Sequence, residues 1–115
     1  MIEVRVPMVV KSPNVSLWAH WAVNVARIKK ERRMVGFYLH KFKPAPPLPV
    51  KVTMIRCAPR ELDSDNLVGA FKHTRDEIAA FLGSDDRNPR ISWHVEQRKV
   101  PRKEAGTLIR IEEAA

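Results

Sequence analysis

Short carboxylates are concentrated in one part of this 115-residue chain. All five aspartates fall between residues 61 and 88, although the whole chain carries 21 Lys and Arg against 13 Asp and Glu. They are Asp63, Asp65, Asp76, Asp85 and Asp86. Clustered carboxylates repel one another unless a cation lies between them, and Mg²⁺ or Mn²⁺ prefers oxygen ligands. This distribution makes a basic protein a candidate for metal-dependent chemistry.

The first two aspartates form a D-x-D pair after a predicted strand over residues 50–58. An extended backbone would send the side chains of Asp63 and Asp65 to the same side, where they could share one ion. The alternative for Asp65 is helix capping, because a carboxylate at a helix start accepts backbone N–H bonds. Capping leaves Asp63 unexplained.

A helix predicted over residues 66–82 carries polar residues on one face. Asp65, Gly69, Lys72 and Asp76 fall within about 60° of one another, opposite an apolar stripe. An ion pair between Lys72 and Asp76, four residues apart, is the simpler explanation of Asp76. The face therefore combines a candidate metal ligand with a candidate phosphate-binding lysine.

The remaining chemistry-bearing residue types give weaker signals. Asp85 and Asp86 follow Gly83 in a predicted loop, where aspartate is common for turn formation alone. Cys57 has no disulfide partner, and the four histidines show no metal-ligand spacing. We expect no metal role for either residue type.

The net charge of +8 and a pI near 10.2 make a polyanion, nucleic acid first, the expected partner. The alternative is a surface charged only for solubility. Candidate DNA-binding residues lie on the first predicted helix and in a later basic group. They are Arg27, Lys29, Lys30, Arg33 and Lys41 on that helix, then Arg87, Arg98 and Lys99.

Hydrophobic periodicity predicts one α+β domain over residues 1–115, in the order β-α-β-α-β-β, with one mixed sheet and two helices. We expect the last two strands to pair as a hairpin, Ser16 to cap the first helix, and Trp21 and Trp93 to lie in the core. No run is apolar enough to span a membrane and no export signal is visible, so a cytoplasmic location is expected. Strands are predicted over 2–10, 50–58, 90–100 and 107–111, and helices over 16–42 and 66–82.

The segments "DSDNL", "FKHTRDEIAAFLG" and "SDDRNPRISWHVEQRK" together resemble the RusA-type Holliday junction resolvases. The resemblance covers residues 50–112 and is looser over 1–45. It implies a homodimeric, Mg²⁺-dependent endodeoxyribonuclease, with Mn²⁺ as a possible substitute, that cuts four-way junctions or related branched DNA in recombination and repair. It also implies a metal site built from Asp63, Asp65 and Asp86, with Asp85 as a further ligand.

The chain departs from that family at Gly69, where its members place a catalytic lysine. We transfer the role to Lys72, which lies within about 20° of Asp65 on the helical wheel. Two alternatives stay open: a non-catalytic DNA-binding protein with a degenerate nuclease site, and a metal-dependent nuclease for another branched nucleic acid.

The predicted helix raises a geometric problem, because at 1.5 Å per residue it would be about 25 Å long. Asp65 and Asp86 would then lie at opposite ends, although metal ligands must lie within about 2.1 Å of an Mg²⁺ ion. Three solutions are possible: the loop after Gly83 folds back, the helix breaks near Gly69, or a partner subunit supplies the later aspartates.

Overall fold

The computed structural model describes residues 1–12 and 21–114, so the predicted Ser16 cap lies outside the described residues. The described chain is a single small α+β domain, as predicted. Its strands are β1 (Ile2–Val6), β2 (Val50–Ala58), β3 (Ile91–Lys99) and β4 (Gly106–Glu113). Its α-helices are α1 (Trp21–His40), α2 (Ser64–Ala70) and α3 (Lys72–Phe81), and a short 3₁₀ helix spans Arg102–Glu104.

The four strands form one mixed sheet in the order β1-β4-β2-β3. Strand β3 runs parallel to β2, whereas β4 is antiparallel to both β1 and β2. The predicted hairpin of the last two strands is therefore wrong. Seven of the nine residues of β2 are buried, and a strand covered on both faces is stable at the centre of a sheet, with a neighbour on each side.

The connection between β3 and β4 consequently passes over the end of β2. Lys99 is paired with Ala58, and Gly106 is paired with the adjacent Cys57. The basic segment between them is a crossing that contains the 3₁₀ helix, and not the hairpin tip that the sequence predicted. None of the described helices is long and apolar enough to cross a membrane.

The hydrophobic core contains buried residues of the sheet and of all three helices. Val35 and Leu39 of α1 are fully buried. The prediction that Trp21 lies in the core is wrong, because this residue is 76% exposed. Trp93 on β3 is partly buried against the core cluster, so its predicted position is confirmed.

The single helix predicted over residues 66–82 is broken at Phe71, giving three α-helices in the described chain instead of two. Phe71 has φ −92° and ψ 2°, in the sparsely populated bridge region, and its side chain is fully buried. Its N–H donates to the carbonyl of Val68, three residues back, at 3.2 Å. Its own carbonyl accepts from Arg75 at 2.8 Å and so begins α3 without a loop.

We expect Phe71→Ala to destabilise the protein by about 3–5 kcal/mol, because it would leave a cavity where the two helices join. Phe37→Ala is the matched control, since Phe37 lies on α1 and is 73% exposed. Its effect should stay within about 0.5 kcal/mol. Urea unfolding followed by circular dichroism measures both, and equal small losses would contradict a packing role for Phe71.

Candidate active site

The D-x-D pair lies at the start of α2. Asp63 occupies the N-cap position and Asp65 lies in the first helical turn, and both residues are exposed. The prediction that an extended backbone aligns them is wrong, because β2 ends at Ala58 and Asp65 is already helical. The capping alternative for Asp65 also fails, since Asp63 holds the cap position and makes no side-chain capping bond.

Neither carboxylate of the pair forms a hydrogen bond or ion pair with any residue in the described part of the chain. Asp63 and Asp65 are therefore exposed anionic oxygen donors with no intramolecular counter-ion among the described residues.

Gln97 on β3 attaches the D-x-D segment to the sheet. Its Oε1 accepts from the N–H of Leu62 at 2.9 Å, and its Nε2 donates to the carbonyl of Leu62 at 2.7 Å. Sequence reasoning missed this residue. The signal was available, because Gln97 continues the inward-facing series of Trp93 and Val95, and an inward glutamine must satisfy both ends of its amide.

Trp93, on the same face of β3, attaches the later aspartate loop. Its Nε1 donates to the backbone carbonyl of Asp86 at 2.9 Å. The guanidinium of Arg75 lies 5.0 Å from the centre of the Trp93 ring, and its Nη2 is 3.9 Å from Oδ2 of Asp86. Trp93 and Gln97 are four residues apart, about 13 Å along a strand, so one strand positions both acidic segments.

Residues of α2, α3 and the loop after α3 line one cleft of about 180 Å³. Its lining includes Gly69 at the end of α2, Lys72 and Arg75 of α3, and Asp86. Asp65 lies one turn before Gly69 on α2, about 6 Å along the helix axis. Of the three arrangements considered, two are observed within one chain. The helix is broken two residues after Gly69, and the loop after Gly83 folds back so that Asp86 lies beside Arg75.

The cleft carries two cationic side chains. Lys72 Nζ lies 3.6 Å from Oδ2 of Asp76, which confirms the predicted pair, yet the lysine side chain is 66% exposed. Arg75 is more enclosed, and its Nε is buried without a hydrogen-bond partner in the described structure. Sequence analysis missed Arg75 because on one straight helix it lies about 80° from Asp65, whereas the break at Phe71 directs it to the cleft.

Asp85 forms a local turn with Arg87. One carboxylate oxygen accepts from the Arg87 backbone N–H at 2.8 Å and from its Nε at 3.2 Å. These side-chain and backbone hydrogen bonds lower the pKa of Asp85 to about 2. The turn alternative therefore accounts for Asp85, and the predicted ligand role of Asp85 and DNA-binding role of Arg87 both compete with an existing ion pair.

The carboxylate oxygens of Asp63 and Asp65 are ligands of the type that Mg²⁺ prefers, but they do not form a complete coordination shell. Within residues 1–12 and 21–114, no group of three or more His, Cys, Asp or Glu side chains could hold a metal ion. Mg²⁺ is usually bound through one or two carboxylates, several waters and the phosphates of a substrate. The unpaired oxygens of Asp63 and Asp65 meet that requirement.

The predicted DNA-binding residues divide into two sets. Arg27 was predicted to bind DNA, but its side chain is 19% exposed and its Nη1 donates to Oε1 of the buried Glu31 at 3.1 Å. Burial raises the pKa of Glu31, and Arg27 partly opposes that shift. The exposed predicted residues on and beside α1 and at the end of β3 are Lys29, Lys30, Arg33, Lys41, Arg98 and Lys99.

Comparisons with family models, with curated protein sequences and with solved structures give no match for this chain.

Proposed function

We propose that this protein is a Mg²⁺-dependent, structure-selective endodeoxyribonuclease that acts as a homodimer on four-way junctions or related branched DNA in recombination and repair. Mn²⁺ is a possible substitute for the metal. The observation that carries the proposal is the break at Phe71, which leaves Lys72, Arg75 and Asp86 around one cleft beside the helix that begins at the D-x-D. The resemblance of residues 50–112 to RusA-type resolvases supports branched DNA as the substrate.

In this proposal Asp63 and Asp65 would hold the ion, and Asp86, which the resemblance implies as a third ligand, lies beside Arg75 in the adjacent cleft. When bound there, Mg²⁺ would activate a water and stabilise charge on the scissile phosphate. Lys72 and Arg75 donate hydrogen bonds to the phosphate oxygens, and these bonds are strong because both partners are charged. The contact of Arg75 with the Trp93 ring restricts its guanidinium before the substrate arrives.

The basic face of α1 serves a separate purpose. Lys29, Lys30 and Arg33 are exposed on one side of this helix, and each phosphate that they neutralise releases condensed counterions. Such contacts position DNA without reading its sequence. This agrees with an enzyme that selects the shape of its substrate.

Asp65→Asn should lower Mg²⁺-dependent nicking of a synthetic four-way junction by about 100-fold or more. Mutating residues that only hydrogen-bond to metal ligands already costs about 10- to 100-fold in metal affinity or activity. Binding measured in EDTA should be unchanged or tighter, because the change removes a negative charge. Glu96→Gln removes the same charge from the opposite face of β3 and is the control.

Nicking by Asp65→Asn at the wild-type rate would exclude Asp65 from the metal site. Wild-type protein that binds the junction but cuts nothing with Mg²⁺ or Mn²⁺ would favour the alternative of a DNA-binding protein with a degenerate site. One observation favours that alternative: the described residues contain no group of three or more ligands that could hold a metal ion.

Replacing Lys29, Lys30 and Arg33 together with Glu should weaken binding to junctions, flaps and linear duplex alike. The slope of log affinity against log salt should fall by about 3, or about 1 for each phosphate contact. Fluorescence anisotropy at several salt concentrations measures both quantities. An unchanged salt slope would show that this face of α1 is only solvated.

Because Asp86 lines the same cleft as Gly69 of its own chain, each active site should lie within one chain. Sedimentation should show a homodimer at micromolar concentration. Purified mixed dimers of Asp65→Asn and Asp86→Asn, made with two different tags, should stay inactive because every site keeps one lesion. Mixed dimers of wild type and Asp65→Asn are the control and should nick.

Restored nicking in the doubly mutant mixture would contradict the single-chain site, because a shared site would leave one of the two sites without a lesion. A monomer that nicks junctions would contradict the dimer.

A further inference from the structure

A second cleft, of about 400 Å³, lies near the end of β2 and is lined by three arginines. Arg56 belongs to β2, Arg60 to the connection that follows it, and Arg102 to the 3₁₀ helix. The other described lining residues are Val9, Ala58, Pro59 and Ala105, so no carboxylate comes from the described part of the lining. We call this cavity, with the side chains of Arg56, Arg60 and Arg102, the arginine cleft.

Arg56 is held in place by backbone carbonyls. Its Nε donates to the carbonyl of Val10 at 3.0 Å, and its Nη1 donates to the carbonyl of Arg60 at 2.7 Å. Burial lowers the pKa of this guanidinium. The group is thus oriented and partly removed from water, and no carboxylate in the described chain compensates its charge.

The other two arginines of the cleft are exposed and also lack an ion pair with any residue that the structure describes. Some arginines elsewhere are paired, since Arg87 and Arg110 each have a carboxylate oxygen at 3.2 Å, whereas others such as Arg33 and Arg98 have no ion pair with a described residue. What distinguishes the cleft is that three arginines without an ion pair line one concave site. Like charges facing one cleft repel, and an anion that accepts hydrogen bonds from several guanidinium groups removes that repulsion. Solubility alone gives no reason for a partly buried Arg56 in its lining.

We propose that the arginine cleft binds a phosphate group of the DNA backbone next to the active site. The identity of the phosphate as DNA rests on the proposed function. Arg60 precedes Asp63 by three residues, so their Cα atoms are at most about 11 Å apart. This upper bound spans no more than about three nucleotide steps of 3.4 Å along the DNA helix axis. In this proposal the cleft holds the DNA backbone within a few nucleotides of the D-x-D.

Binding of phosphate itself is tested by titrating inorganic phosphate into ¹⁵N-labelled protein. Amide signals of residues 56–58, 60 and 102–106 should shift in the wild type, and these shifts should be lost in Arg102→Gln. Lys51→Gln is the control, because Lys51 is exposed on the same strand as Arg56 but on the opposite face. Failure of the wild-type amides at the cleft to respond would overturn the proposal.

Binding of DNA is tested with a labelled four-way junction in EDTA. Arg60→Gln and Arg102→Gln should each weaken binding by about 3- to 10-fold and lower the salt slope by about 1, whereas Lys51→Gln should have a smaller effect. Both arginines are exposed, so circular dichroism should show the native fold. An equal loss in Lys51→Gln would assign the effect to net charge and overturn the proposal.

The two tests together distinguish the source of the phosphate. A response to inorganic phosphate with unchanged junction affinity in both arginine variants would assign the cleft to a free phosphate compound and overturn its role in DNA binding. Failure of the proposed nuclease function is recognised separately, as wild-type protein that does not nick junctions in Mg²⁺. The binding measurements contain no divalent metal and do not depend on that result.

Discussion

Burial of β2 on both faces is the constraint on which the rest of the structure depends. A strand with seven buried residues out of nine needs a neighbour on each side, and β3 and β4 take those places. Because β3 is parallel to β2, the chain between them must cross over the sheet, and it does so through α2 and α3. Because β4 lies on the other side of β2, the chain after β3 must pass over the end of β2, which carries Arg102 into the arginine cleft.

Within that frame, two anchoring side chains on β3 and one buried ring organise the candidate active site. Gln97 holds the segment before the D-x-D and Trp93 holds the loop of Asp86, so both acidic segments are attached to one strand. Phe71 is buried in the core at the joint of α2 and α3, where its non-helical backbone ends α2 and begins α3. Removing any of the three would change the cleft without touching a charged residue.

Whether an aspartate has an ion-pair partner indicates its role, structural or functional, better than its position in the sequence does. Asp85 is bonded to Arg87 and Asp76 lies beside Lys72, so local structure accounts for both aspartates. Asp63 and Asp65 have no partner in the described chain, and they are the aspartates available to a cation. The same distinction sets the arginine cleft apart from the arginines that have a carboxylate neighbour.

The sequence by itself determined the α+β class and the approximate positions of the strands. It also determined that α1 is basic while the aspartates lie together later in the chain, and that Lys72 pairs with Asp76. These properties follow from local periodicity and from spacing along one helix. Only the tertiary structure decided the neighbours of β4, the exposure of Trp21, the inward orientation of Arg27 and the division of one predicted helix at Phe71. Each depends on which surfaces of separate elements are buried together. A hydrophobic pattern predicts that a residue is buried but does not identify the residues that pack against it. Arg75, Gln97 and the arginine cleft could therefore be recognised only in the folded structure.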